Sequence, residues 1–204
     1  MSDALWAFDE AVRAEGHRVL CGVDEAGRGP LAGPVMAAAV VLSAPIEGVR
    51  DSKTLSPRRR EALFARIVCE ALCWAVAEAS VAEIETYNIL GASQLAMRRA
   101  LSALSARPDL TLVDGNVARD FPGPVRCLVG GDNKSACVAA ASILAKVTRD
   151  RRMDELARLY PAYGFERHRG YPTKLHYEAL RAMGPTPVHR TRFLRRFWAG
   201  GGVR

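Results

Sequence analysis

The run from residue 21 to 34, CGVDEAGRGPLAGP, sets two adjacent carboxylates, Asp24 and Glu25, at the end of an apolar segment, with Gly27, Arg28 and Gly29 directly after. Carboxylate oxygens bind hard metal ions, and an arginine between glycines can meet a phosphate at close range. Cleaving a phosphodiester calls for both abilities at one place. Asp114, in TLVDG, closes a short apolar run, and open sheets assemble sites from such strand ends. Asp150 follows ILAKVTR in a long helical stretch. Four acids from separate elements can bind two divalent cations, which orient an attacking water and stabilise the leaving oxygen. Each acid also has a plain reading: a solvated acidic turn for Asp24-Glu25, an Asp-Gly turn for Asp114, a solvated helix acid paired with Arg151 for Asp150.

Around the acids stand candidates for holding an anion. Lys53 lies in DSK and Lys134 in GGDNKS; either supplies a point charge to a phosphate or is an ordinary exposed lysine. Ser52 is a weaker phosphate contact, and Ser135 a contact or a helix cap. Tyr171, held between Gly170 and Pro172, can stack on a sugar or base, or pack between helices. The glycines of GRG permit a steep turn with amides and guanidinium at one point. The segment is neither a P-loop nor a dinucleotide fingerprint, since GxxxxGK[ST] is absent and the run continues into Pro30. The four histidines show no HExxH spacing and read as structural or solvated. His168 and His176 fall near the basic face.

The elements that must position these residues follow from periodicity and punctuation. A short amphipathic helix is expected over residues 1–12. Strands are expected over 18–24, 35–42, 74–79, 110–113 and 125–129. A helix starts with Ser56 as N-cap and Pro57 in its first turn, and buries Leu63, Ile67 and Val68. Residues 82–87 read as a short helix or turn and 92–104 as a helix. KSACVAAASILAKVTRDRRMDELARLY, from Lys134 to Tyr160, is a long helix whose alanine-rich first half can pack closely on a sheet. Adjacent strand residues point to opposite faces, so Asp24 and Glu25 can share one metal site only where the strand ends or bends. Together these give an α/β protein with a mixed sheet and helices. Beyond Tyr160 the texture turns to tyrosine, proline, glycine and cations, which suggests a small helical appendage over the substrate.

The 204 residues support one sizeable core. Lys plus Arg number 29 against 22 acids, and the late clusters ERHRGYPTK and HRTRFLRRF give a basic surface that suits nucleic acid, an acidic membrane or simply solubility. No run is long and apolar enough to span a bilayer, and the N-terminus lacks the cationic start of a signal peptide. Five cysteines without a CxxC pair read as reduced packing thiols in a reducing compartment, not as a zinc module.

The chain resembles bacterial ribonuclease HII. The pieces that carry the likeness are GVDEAGRGPLAGPV, DSKTLS, YNILGASQLAM, LVDG, GDNKSACVAAASILAKVTRD and HRGYPTKLHYEAL, spread over roughly residues 18–182. The resemblance implies a ribonuclease H-like fold, a central mixed β-sheet flanked by helices, as a catalytic domain over 1–160 with a C-terminal helical extension over 161–204. It implies Asp24, Glu25, Asp114 and Asp150 as the catalytic, metal-binding tetrad, with two Mg²⁺ or Mn²⁺ ions. The implied substrates are RNA–DNA hybrids and duplex DNA with embedded ribonucleotides, cut 5′ of a ribonucleotide to leave a 3′-hydroxyl and a 5′-phosphate. Gly27, Arg28 and Gly29 match the segment that reads the RNA–DNA junction. Tyr171 matches the tyrosine that recognises the 2′-hydroxyl and stacks under the next sugar. Ser52, Lys53, Lys134 and Ser135 complete the implied substrate contacts. A monomeric cytoplasmic enzyme is expected. Two departures stand out: Cys137 occupies a position where the family often has serine, and Thr191-Arg192 alter the usual tail after His189-Arg190. The rival readings are a metal nuclease acting on DNA junctions and a non-catalytic nucleic-acid-binding module.

Overall fold

The computed structural model describes residues 2–198. In chain order the elements are α1 (Ser2–Ala14), β1 (Leu20–Ala26), β2 (Val35–Val41), α2 (Pro57–Glu70), β3 (Cys73–Ala79), α3 (Val81–Ser102), β4 (Leu110–Asp114), β5 (Val125–Leu128), α4 (Ala136–Leu159), α5 (Phe165–His168), α6 (Lys174–Met183) and α7 (Thr191–Trp198). The last six residues of the expected C-terminal extension, 199–204, lie outside the described residues, as does Met1.

One five-stranded sheet runs in the order β3-β2-β1-β4-β5. β3, β2 and β1 are antiparallel neighbours, whereas β1, β4 and β5 run parallel. The sheet is therefore mixed, as expected. It is sandwiched between helices. Leu5, Ala38, Val40, Leu63, Ile67, Ile143 and Leu144 fill the core on the α2 and α4 side. Cys21, Val23, Ala37, Ala39, Ile84, Met97 and Leu101 fill the core beneath α3.

α4 lies against the sheet because its first half is alanine. A Cβ on Gly22 of β1 would come within 2.1 Å of the Cys137 carbonyl carbon, so only glycine lets helix and strand backbones meet there. Ser135 caps α4 by accepting from the Val138 N–H, and buried Asp9 of α1 accepts from the Cys137 N–H at 2.9 Å. The Cys137 side chain is fully buried, with its sulfur 3.7 Å from the Leu20 carbonyl oxygen.

Of the boundaries that differ from expectation, those of α3 and β1 have a local reason. α3 spans both expected helices, with the break at Asn88 (φ 59°, ψ 173°), whose side chain accepts from the N–H groups of Leu90 and Gly91. β1 begins and ends two residues later than residues 18–24, because its antiparallel ladder with β2 continues to Ala26↔Met36. After α4, Tyr163, Phe165, Leu180 and Leu194 pack on Met153, Leu156, Leu31 and Ala32 as one further cluster. The elements beyond residue 160 thus share a core with the end of α4 and with the turn after β1.

Candidate active site

The ends of β1 and β4 position the first acids. The parallel ladder pairs Val23 with Val113 and stops there, so Asp24 and Asp114 follow at adjacent strand ends. On the other side β1 stays paired with β2 through Ala26. The expected interruption at Asp24-Glu25 is therefore one-sided. Asp24 continues the parity of Leu20 and Gly22 towards α4, and Glu25 takes the other parity. Even so, Asp24, Glu25 and Asp114 all line one cleft of about 260 Å³, together with Gly27, Arg28, Gly29, Ser52, Lys53 and Tyr171.

Asp24 is 4% exposed, with one oxygen accepting from the Glu25 N–H at 2.7 Å. Burial, followed by the charges of Glu25 and Asp114, holds its carboxyl well above the ordinary aspartate range; Ser142 on α4 counters by hydrogen bonding. Burial raises Glu25 too, against the pull of Arg28, whose Nη1 lies 3.2 Å from its Oε1. Asp114 is raised by burial, with the Gly131 N–H, 2.6 Å from its Oδ1, acting the other way.

Asp150 stands apart from these three. It is one turn beyond Lys146, and their side chains form an ion pair at 2.6 Å. Lys146 and Arg149 line the cleft, whereas Asp150 does not. Lys53 reaches buried Asp132 at 3.3 Å; burial works against its ammonium, but Asp132, Asp51 and Asp24 outweigh this and raise it. Ser52 is buried and shares a 2.8 Å hydrogen bond with Ser142. Lys134 turns to the Val129 carbonyl at 2.8 Å, and Ser135 is occupied as the α4 cap, so neither lines the cleft. Tyr171 is 41% exposed, with its ring beside Gly29.

Sequence reading missed Ser142, Lys146 and Arg149. Their signal was present: residues 142, 146, 149 and 150 fall on one helical face leading to Asp150. It also missed Asp132, and it placed the late cations on a solvent face. Arg190 is instead buried, and His168, His176 and His189 are buried as well, which is the structural one of their two readings. His168 stacks on His176 with ring centroids 4.4 Å apart, and the Nε2 atoms of His176 and His189 are 3.0 Å apart. All five cysteines are free; Cys21, Cys73 and Cys137 are buried, but Cys69 and Cys127 are exposed, so packing accounts for three.

The donor chemistry fits a hard divalent cation. The cleft is lined by three carboxylates and by no histidine or cysteine, and one of the carboxylates is buried among like charges that a cation would neutralise. Among the described residues no group of three or more His, Cys, Asp or Glu is already arranged to hold a metal ion.

Comparison with solved structures defines the class. A ribonuclease H2 from Pyrococcus horikoshii superposes with a TM-score of 0.69 at 28% identity, covering 88% of this chain and 99% of that one. The ribonuclease HII of Archaeoglobus fulgidus, solved in complex with PCNA, gives a TM-score of 0.68 at 26% identity over 85% of this chain and 94% of that one. The fold is that of an α/β nuclease of ribonuclease H type. The family model described as ribonuclease HII matches residues 21–199. A ribonuclease HII from Caldicellulosiruptor saccharolyticus is 50% identical over 197 residues, 96% of each chain, and one from a Marinomonas species is 54% identical over 86% of this chain and 89% of its own. The chain belongs to the ribonuclease HII family, and divalent-metal catalysis goes with that family.

Proposed function

We propose that this ribonuclease hydrolyses the RNA strand of RNA–DNA hybrids and cuts duplex DNA on the 5′ side of an embedded ribonucleotide, leaving a 3′-hydroxyl and a 5′-phosphate. The observation that carries the reading is one cleft lined by Asp24, Glu25 and Asp114 together with Gly27, Arg28, Gly29 and Tyr171. Asp24, Glu25 and Asp114 would hold Mg²⁺ or Mn²⁺, two ions in all, with Asp150 released from Lys146 to complete the set. The ions supply charge neutralisation at the scissile phosphate and a more acidic water.

The chain's own residues do the rest. Asp24 anchors the acidic set through its fixed place at the β1 end. Arg28 and Lys53 set cationic side chains towards the phosphates. The GRG turn presents backbone groups to the 2′-hydroxyl, the group that separates RNA from DNA at one site. Tyr171, exposed beside Gly29, stacks on the adjoining sugar. Ser52 buttresses Asp24 through Ser142. Lys134 and Ser135 flank the site and support the loop before α4. Residues 161–198 act as the substrate-side extension. Among the described residues no helix is long and apolar enough to cross a membrane, and free thiols suit a reducing compartment. A monomeric cytoplasmic enzyme is part of the same proposal.

The test is an assay of purified protein on matched duplexes with no, one or several ribonucleotides, with Mg²⁺ and with Mn²⁺. Cleavage confined to ribonucleotide-containing duplexes is expected. Equal cleavage of the all-DNA duplex refutes the reading in favour of a general metal nuclease.

A further inference from the structure

Two arginines lie buried behind the GRG turn without a carboxylate partner. Arg190 is 0% exposed and Arg149 1% exposed, and among the described residues neither forms an ion pair. A buried guanidinium needs acceptors for its donors, and here backbone carbonyls supply them. Arg190 donates through Nε to Gly33 O at 2.9 Å, through Nη1 to Pro30 O at 2.9 Å and Arg28 O at 3.1 Å, and through Nη2 to Gly27 O at 2.7 Å and Pro34 O at 3.2 Å. Arg149 takes Pro34 O, Ala32 O and Arg169 O. It also fills the space where a side chain on Gly27 would stand, since a Cβ there would lie 2.1 Å from its Nε.

In a planar trans peptide the carbonyl and the following N–H point oppositely. With Gly27 O and Arg28 O drawn onto buried Arg190, the N–H groups of Arg28 and Gly29 face away from it. Among the described residues no acceptor takes either of them. Their neighbours in the same turn are committed: Leu31 N–H donates to Gly170 O at 2.7 Å and Gly33 N–H to Val188 O at 2.8 Å. Both Arg28 and Gly29 line the cleft beside Tyr171.

We infer that Arg190 is a positioning residue: by gathering five carbonyls of the turn from Gly27 to Pro34 it aims the Arg28 and Gly29 N–H groups into the cleft, and so sets the preference for a lone ribonucleotide in DNA. The inference rests on the ribonuclease reading above. Arg190 touches neither substrate nor acids. A lysine there keeps the charge but has three donors on one atom, so it cannot span five carbonyls. The turn then loses its fixed aim. A continuous RNA strand offers a 2′-hydroxyl at each nucleotide and tolerates this better than a duplex with one.

The test is single-turnover cleavage by wild type and Arg190→Lys of two duplexes, one with a single ribonucleotide and one with a continuous RNA strand, with melting curves and Mn²⁺ titrations alongside. The single-ribonucleotide rate should fall about 100-fold, roughly tenfold for each misdirected hydrogen bond, and the continuous-strand rate by about tenfold or less. The ratio of the two rates therefore drops about tenfold or more with the Mn²⁺ midpoint unchanged. Equal losses on both duplexes overturn the inference, because a merely structural arginine lowers both alike. Should the variant not fold, the unaltered ¹⁵N-labelled protein with Ca²⁺ decides. The Arg28 and Gly29 amide signals should move with the single-ribonucleotide duplex and move less with all-DNA duplex; equal shifts overturn the inference. Lack of ribonucleotide-dependent cleavage by wild type overturns the functional reading and this inference with it. Wild-type selectivity beside an unchanged ratio in Arg190→Lys overturns the inference alone.

Discussion

Replacing Asp24 with Asn should make the metal-free protein more stable while removing its activity. Asp24 is buried, and its carboxyl is raised by burial and by the charges of Glu25 and Asp114. The penalty for keeping it in place has a ceiling, because protonation relieves it once ionisation becomes the worse option. Between the ordinary value of 3.8 and pH 7 that ceiling is about 4 kcal/mol. Asparagine retains an oxygen to accept from the Glu25 N–H and can still meet Ser142, so a gain of about 2–4 kcal/mol is expected, or a Tm higher by roughly 4–16 °C for a chain of this size. The sign follows from the raised native value: the native state holds its proton longer, so the penalty is absent near pH 4 and grows as pH rises. The advantage of Asp24→Asn in EDTA should therefore vanish near pH 4 and be full at neutral pH. Saturating Mg²⁺ should reverse the order, since about 1,000-fold excess over Kd adds about 4.1 kcal/mol to the protein that binds it. Thermal melts across pH, with EDTA and with Mg²⁺, read all of this. A variant less stable than wild type in EDTA, or one that cleaves at near-normal rate, refutes the reasoning.

Other outcomes follow from the same geometry. Tyr171→Phe should keep stacking and lose a hydrogen bond, and Tyr171→Ala should lose both, so single-ribonucleotide cleavage should fall in that order, by about tenfold at the first step; equal rates would remove Tyr171 from the site. Gly22→Ala should lose about 3 kcal/mol or more in a denaturant melt, because its Cβ would strike the α4 backbone at 2.1 Å. Gly115→Ala has no atom within 4 Å and should lose only about 1 kcal/mol, from its φ of +113°. Burial presses His176 and His189 down to about 4, so the native state binds fewer protons than the unfolded chain. Stability from these rings is full above about pH 6.5 and lost as pH falls towards 4, by up to about 3 kcal/mol per ring; a flatter acid branch in His176→Gln is the check.

Much of the framework was legible in residues. Apolar runs leading to Asp24 and Asp114 marked two strands, and the Ser56-Pro57 and Ser135 signals marked helix starts that the structure retains. Adjacency of β1 and β4 was not legible, because parallel pairing depends on the connection between them. The continuation of β1 past Asp24 escaped for the same reason: its partner Met36 lies beyond a turn. Charge misled most. A run such as HRTRF reads as solvated, and only the inward carbonyls of residues 27–34 make Arg190 a buried residue. Asp150 was placed correctly on α4, yet nothing in sequence announces its pairing with Lys146.

The central claim is that Asp24, Glu25 and Asp114 cut while the GRG turn and Tyr171 choose the place. End-labelled duplex DNA with one ribonucleotide, cleaved with Mg²⁺ and resolved to the nucleotide, tests it most directly. A single cut 5′ of the ribonucleotide is expected, with a 3′-hydroxyl and a 5′-phosphate, and none with Asp24→Asn. A cut on the 3′ side, or a 2′,3′-cyclic phosphate end, would contradict it.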